Sequence, residues 1–438
     1  MGRRPRHPPP LRVYQNNRLV GYLRREPGGA ILFHYADEWL GRDGAFPISL
    51  SLPLRDDPWK GEPVAAVFEN LLPDSDALRR RVADRVGAGG YDAYHLLAAI
   101  GRDCVGALQF IADDADGPAP DAPLTGERVD GPAIEKLLRN LALAPLGLSR
   151  EDDFRISVAG AQEKTALLRH EGQWIKPLGT TPTTHILKPP IGHLSNGLDL
   201  SDSVENEFLC LRLLHHLGLP VAQAEIMAFG STRALVVERF DRAWINGRLI
   251  RLPQEDCCQA LSVPPARKYQ SDGGPGLVEI ATLLQGGDNP AADLATLFKA
   301  QLAFWLIGAT DGHAKNFSLF LHPRGGYALT PLYDVLTAQP SLDAGRIDRR
   351  QMKLAMSVGE NRHYRIDEIT PRHFLQTAAR AGLPKMLAET ALAQVAADMP
   401  AALHKLAANL PASFPMALFE SVSAGIQRRL RLLPGDAG

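Results

Sequence analysis

Residues 308–319 read GATDGHAKNFSL and close a strongly apolar run, LAFWLIG over 302–308. That run reads as a strongly apolar helix. The chain then carries Asp311, His313 and Asn316 in one short turn, with the spacing D-x-x-x-x-N. Downstream, TPLYDVLTA over 330–338 puts Asp334 after the strand-like YALTPLY. Singly, Asp311 reads as a helix cap and Asn316 as a turn residue. Together, the Asp334 carboxylate and the Asn316 amide form a set of hard oxygen donors, with Asp311 beside them. Such a set suits Mg²⁺, which keeps several waters and needs few protein ligands.

Protein kinases use this spacing to set a carboxylate against the acceptor hydroxyl and an amide oxygen on Mg²⁺, with a further acid downstream. A nucleotide end is then expected upstream. SVAGAQEKTALL over 157–168 reads as strand–turn–strand, and its turn, Ala159-Gly160-Ala161, is small enough for backbone N–H groups to approach phosphates. It is not a Walker A loop, since no GK[ST] follows. Lys188, in the apolar HILKPP over 185–190, must find an anion if it points inward, because an unpaired buried charge is costly. Glu205 or Glu207 on the following helix, SVENEFLCLRLLHHLG over 203–218, is the protein partner expected for it. VVERFDR over 236–242 reads as a hinge whose Glu238, Arg239 and Phe240 would meet adenine chiefly through main chain, and Gln254 in RLPQED is a candidate for the phosphates or the metal.

Around these motifs the chain changes character. Residues 11–54 alternate short strand-like runs with turns, as at Asn16-Asn17. PVAAVFENLLPDSDALRRRVADRV reads as two helices divided by Pro73, with Asp74 or Ser75 as cap. FRISVAG, EKTALLRHEGQWIKPL, THILKPP, RALVVERFDR and RLIRLPQED read as strands, and from about residue 277 the apolar period is helical. The expected organisation is a disordered tail over 1–10, a small α/β domain over 11–149 and a catalytic domain over 150–438. That domain is β-rich over 150–256 and helical over 257–438. The fold class is α+β, in a two-lobed, protein-kinase-like arrangement.

Composition narrows the function classes. With 438 residues, 45% hydrophobic and 22% charged, the chain can bury sizeable cores. A net charge of −1 argues against wholesale electrostatic binding of nucleic acid. Cys104, Cys210, Cys257 and Cys258 form no CxxC pair and read as buried reduced thiols, which fits a cytoplasmic protein. MGRRPRHPPP leads into no apolar segment, and no run approaches the roughly 18 apolar residues of a membrane span.

SVAGAQEKTALL, THILKPP, VERFDR, LRLPQED, SDGGPG, GATDGHAKNFS and LTPLYD, in this order, resemble the HipA family of toxin kinases. SLSLP, FENLLPDS and IGRDCVGA resemble that family's N-terminal domain, so the likeness runs from about residue 11 to about 430. The resemblance implies an ATP- and Mg²⁺-dependent kinase with Asp311 as catalytic base and Asn316 and Asp334 on the metal. It implies ATP contacts from the loop Ala159, Gly160, Ala161, Gln162, Glu163 and Lys164, and from Lys188, Glu238, Arg239 and Phe240. His313, Ala314, Lys315, Asn316, Tyr333 and Asp334 complete that set, and Ser157 matches the family's inactivating autophosphorylation site. The implied substrate is an aminoacyl-tRNA synthetase, glutamyl-tRNA synthetase in the members most alike. The implied partner is a HipB-like helix-turn-helix antitoxin, with which the toxin represses its operon. After PRHFL the residues Ala379, Arg380 and Gly382 depart from the basic helix of members that touch operator DNA, so DNA contact is expected mainly through the antitoxin. Two other readings are a catalytically silent ATP-binding corepressor, which would lack Asp311, Asn316 or Asp334, and a lipid kinase, which would show a basic or amphipathic membrane face.

Overall fold

The computed structural model describes residues 9–433 apart from 114, 116, 120, 121, 150–152, 161, 195 and 196. Apart from Pro9 and Pro10, the proline-rich head lies outside the described residues, as does Ala161 of the small-residue turn. The chain is α+β and divides into two compact units. One comprises residues 1–189, 227–266 and 319–327; the other comprises 190–226, 267–318 and 328–438.

The first unit begins with an antiparallel five-stranded sheet in the order Trp59–Lys60, Ile31–Tyr35, Arg18–Arg25, Leu11–Gln15, Leu108–Ala112. Asn16 and Asn17 take φ of 47° and 64°, the left-handed pair that a tight two-residue hairpin needs. Helices Glu62–Glu69, Asp76–Val86 and Ala93–Ile100 supply much of the rest of the core, in which Phe33, Phe68 and Phe110 meet ring to ring. Ser75 is the cap, its side chain accepting the Leu78 N–H. A second sheet runs Ala224–Phe229, Thr232–Glu238, His185–Lys188, Thr165–His170, Gln173–Pro177, Gly126–Arg128.

The strand expected over FRISVAG does not form. Phe154, Ile156 and Val158 alternate as a strand's would, but they insert into the N-terminal core rather than pairing with a neighbour. The Ser157 N–H instead donates to the Asp103 carbonyl at 2.9 Å, so the segment is extended and bonded without joining a sheet. Alternation reports burial on one face and cannot distinguish a ladder from a single extended segment.

Two buried polar clusters hold this unit together. Asp103, Arg239, Asp241, Arg242 and Arg251 are all nearly inaccessible and mutually bonded. In the other cluster, Glu255 accepts from the Ser49 hydroxyl and from the Leu50 N–H at 2.8 Å, tying SLSLP to PQED. Burial pushes the Glu255 carboxyl up to about 8, against the opposing pull of those two hydrogen bonds. With the folded value raised, the stability conferred by the proton is fully present below the unfolded pKa and is lost as pH rises to about 8. Glu255→Gln is therefore expected to melt several degrees above wild type at pH 8.5 and alongside it near pH 4.5, read by calorimetry.

The second unit is mainly helical, with helices Ser203–His216, Leu277–Leu284, Pro290–Ile307, Pro371–Arg380, Lys385–Ala408 and Met416–Leu430. Trp305 is its largest fully buried side chain, 5.5 Å from the Phe374 ring, with its indole N–H on the Ile366 carbonyl. A hairpin, Lys353–Val358 with His363–Arg365, interrupts the portion read as helical. The four cysteines are free and buried, and no described helix is long and apolar enough to cross a membrane.

Candidate functional site

Helix Pro290–Ile307 is buried along most of its last turns and ends at Gly308, whose φ of 79° is the left-handed conformation of a glycine helix stop. Its C-terminal carbonyls are held from two directions. The Arg429 guanidinium donates to the Leu306 carbonyl at 2.9 Å, and the Thr337 hydroxyl to that of Ile307 at 2.7 Å. The cation sits at the negative end of the helix dipole, which helps to stabilise a buried charge. Asn206 then clasps Thr337 through both backbone groups, accepting its N–H and donating to its carbonyl, each at 2.9 Å. The chain leaving the helix and the segment after Asp334 are thereby pinned side by side, with a bridge between Ala309 and Thr337.

On this support lies the D-x-x-x-x-N turn. Asn316 is buried, and its amide nitrogen donates to the Asp311 carbonyl at 2.8 Å and the Asp334 carbonyl at 3.3 Å. That orientation turns the amide oxygen away from both carbonyls. Asp334 has φ of 56°, an uncommon conformation for a non-glycine residue and one that tends to mark functional positions. Tyr333 donates to the Lys315 carbonyl at 2.8 Å and shares a hydrogen bond with Ser318. The Asp311 side chain stays about half exposed; the buried His313 ring lies with Nε2 4.0 Å from its Oδ1. Its nearer partner is Tyr269, whose hydroxyl donates to Oδ1 at 2.5 Å. Beside them opens a cavity of about 670 Å³, bordered by Tyr269, Thr310, Asp311, Lys353 and Arg362. Among the described residues no cluster of three or more His, Cys, Asp or Glu could hold a metal. One carboxylate, Asp334, and one amide oxygen, Asn316, are a donor set that fits Mg²⁺ bound mainly through water and phosphate.

The first unit carries the other residues expected at the nucleotide. Ser157 is fully buried and donates to the Leu71 carbonyl at 2.7 Å. Gly160 has φ of 108° and bridges to Pro73. Lys164 reaches back to the Ala159 carbonyl at 2.8 Å, Gln162 donates to the Pro189 carbonyl, and Glu163 pairs with Arg81. Lys188 is buried on its strand, opposite Leu235. Gln254 is buried next to Glu255. Arg239 requires a correction: its N–H donates to the Thr184 carbonyl and its guanidinium to Asp103, Asp241, Thr183 and the Cys104 carbonyl. Its main-chain donor is not available to adenine, and its side chain is an anchor for the strand Thr232–Glu238. Glu205 and Glu207 are buried on the helix Ser203–His216 of the second unit, whereas Lys188 belongs to the first. Arg380 donates to the Gly359 carbonyl within its own unit.

Four residues beyond the expected set support the turn: Tyr269, Asn206, Thr337 and Arg429. Tyr269 precedes SDGGPG, a motif noted for likeness alone, and nothing local in sequence marks the others as partners of residues about 30 to 130 positions away.

Residues 11–111 match the HipA N-terminal domain and residues 156–403 the HipA-like C-terminal domain. A protein of Sinorhizobium fredii named as a kinase, Y4mE, is 36% identical over 80% of this chain and 81% of its own. The serine/threonine-protein kinase toxin HipA of Shewanella oneidensis is 30% identical over 92% of this chain and 90% of its own. The solved complex of Shewanella oneidensis HipA with HipB and operator DNA contains a chain that superposes with a TM-score of 0.78 at 26% identity, covering 96% of this chain and 98% of that one.

Proposed function

This chain belongs to the HipA family of serine/threonine-protein kinase toxins, and on that footing we propose that it transfers the γ-phosphate of ATP to a serine of an aminoacyl-tRNA synthetase, glutamyl-tRNA synthetase first among them. The observation that carries the reading is the Asn316 amide, whose nitrogen ties the Asp311 carbonyl to that of Asp334 and so gathers the three residues in one place. In this reading Asp311 orients the acceptor hydroxyl and takes its proton as the oxygen attacks phosphorus. Asn316 and Asp334 would hold Mg²⁺, which neutralises charge on the phosphates. Lys188 meets the phosphates and is set by Glu205 or Glu207. The loop over 159–164 covers the phosphates, and the main chain at Glu238 and Phe240 meets adenine. His313, Ala314, Lys315 and Tyr333 border the nucleotide, and Gln254 lies toward its phosphates. A HipB-like antitoxin neutralises the toxin in the cytoplasm and carries most of the operator affinity.

Ser157 is the proposed self-inactivation site. Its hydroxyl is buried against Leu71, so accepting phosphate requires the segment to leave its place. Once there, a phosphate of about −1.5 to −2 charges cannot return to that site. Repulsion from the phosphates of ATP adds several kcal/mol at an effective dielectric of about 20. Ser157→Asp should therefore lose ATP binding by calorimetry. Ser157→Ala, which forfeits about 1 kcal/mol of hydrogen bonding, should keep it. Equal binding by both variants would remove the self-inactivation mechanism.

A further inference from the structure

The hydroxyl of Tyr269 stands where an acceptor hydroxyl would have to stand, 2.5 Å from Oδ1 of Asp311 and donating to it. Its ring meets His313 edge-on with centroids 4.9 Å apart, so it is packed rather than trailing in solvent. The backbone beneath it is fixed. The Tyr269 carbonyl accepts the N–H groups of Asp272 and Gly274, at 3.1 and 2.9 Å. The adjacent Gln270 side chain accepts both the N–H and the hydroxyl of Ser357. A Cβ on Gly274 would lie 1.9 Å from the Arg267 carbonyl, so this tight loop tolerates no bulk there. An incoming hydroxyl can therefore reach Oδ1 by rotation of the phenol about its side-chain bonds, not by displacement of the loop. The cavity bordered by Tyr269 and Asp311 leaves room for that exchange.

From this geometry we infer that Tyr269 is a specificity residue that occupies the acceptor position on Oδ1 of Asp311, denies that oxygen to water and yields to a protein hydroxyl. The inference rests on the kinase reading above and adds to it a way of holding back ATP hydrolysis while no protein acceptor is present. In the suppressed reaction, water would give its proton to Asp311 while its oxygen bonds to the γ-phosphorus and the bond to the β-phosphate oxygen breaks. A phenol held on Oδ1 denies water that hydrogen bond. A serine brought in by a protein surface gains enough contact elsewhere to displace it.

Tyr269→Phe removes the hydroxyl and keeps the ring. Inorganic phosphate released from Mg-ATP alone is measured for wild type, Tyr269→Phe and the Tyr269→Phe/Asp311→Ala double variant. Labelling of protein serine by wild type, on itself or on added glutamyl-tRNA synthetase, is scored in parallel. The expected result is phosphate release about tenfold faster in Tyr269→Phe, below the roughly 10²–10⁴-fold that a positioned general base contributes in full, and a return to background in the double variant. Release that is unchanged or slower in Tyr269→Phe, or faster release that survives loss of Asp311, would overturn the inference. If wild type labels protein serine and Tyr269→Phe shows no gain, the inference alone fails. If wild type labels no protein, the kinase reading fails whatever the phosphate release.

Discussion

Asp311→Ala is expected to fold as wild type does and to transfer phosphate roughly 10²–10⁴-fold more slowly, the range that a positioned general base contributes. The fold should survive because the turn is built on the Asp311 backbone, not on its carboxylate. The Asn316 amide and the His313 N–H both bind its carbonyl, and among the described residues the half-exposed side chain has its close hydrogen bond from Tyr269. Alanine leaves those backbone bonds in place while removing the group that orients the acceptor. Circular dichroism and thermal melting should match wild type, and labelled phosphate transfer should fall by at least two orders of magnitude. Transfer at the wild-type rate would remove Asp311 from the catalytic role. Asn316 is the contrasting case, since its amide both binds the turn and would ligand the metal.

The largest effect on stability is expected at Asp103. Burial pushes its carboxyl up, but the guanidiniums of Arg242, Arg251 and Arg239 outweigh that and hold it well below the usual carboxylate range. Its oxygens also accept from the N–H and the hydroxyl of Thr183, at 3.0 and 2.8 Å. Replacing such a network wholesale by apolar groups can be neutral. Removing one charge strands its partners and typically costs about 3–5 kcal/mol. Asp103→Ala is expected to lose an amount of that order at pH 7. Because the folded carboxyl is depressed, its contribution is full above the unfolded value of about 3.9 and is lost as pH falls through the folded value. Denaturant unfolding should show a constant gap between wild type and variant above about pH 5 and a narrowing gap below about pH 4. A gap that widens on acidification would contradict the ionised state assigned to Asp103.

The contrast between these residues shows what the sequence could carry. The nearness of Asp311, Asn316 and Asp334 is legible because their spacing is local to one turn and one following segment. The helices Ser203–His216, Asp76–Val86 and Pro290–Ile307 followed from apolar period, caps and stops. FRISVAG misled because Phe154, Ile156 and Val158 bury one face without a strand partner. The hairpin at 353–365 escaped because it is short and lies between long helical periods. Asp103 and Arg239 lie 136 positions apart, and Asn206 and Thr337 131 apart, so their pairing is a product of tertiary packing that no local pattern encodes. Arg239 is expected to act chiefly through its main chain, whereas its side chain is bound to Asp103, Asp241, Thr183 and the Cys104 carbonyl.

The central claim, transfer of phosphate from ATP to a protein serine, is met most directly by mass spectrometry of glutamyl-tRNA synthetase after incubation with this protein and Mg-ATP. The expected result is one phosphoserine in the ATP-site loop of the synthetase, with wild type and not with Asp311→Ala. ATP binding by calorimetry with no phosphate on the synthetase, on this chain or on any other protein supplied would contradict the claim, and would leave the chain a silent nucleotide-binding corepressor.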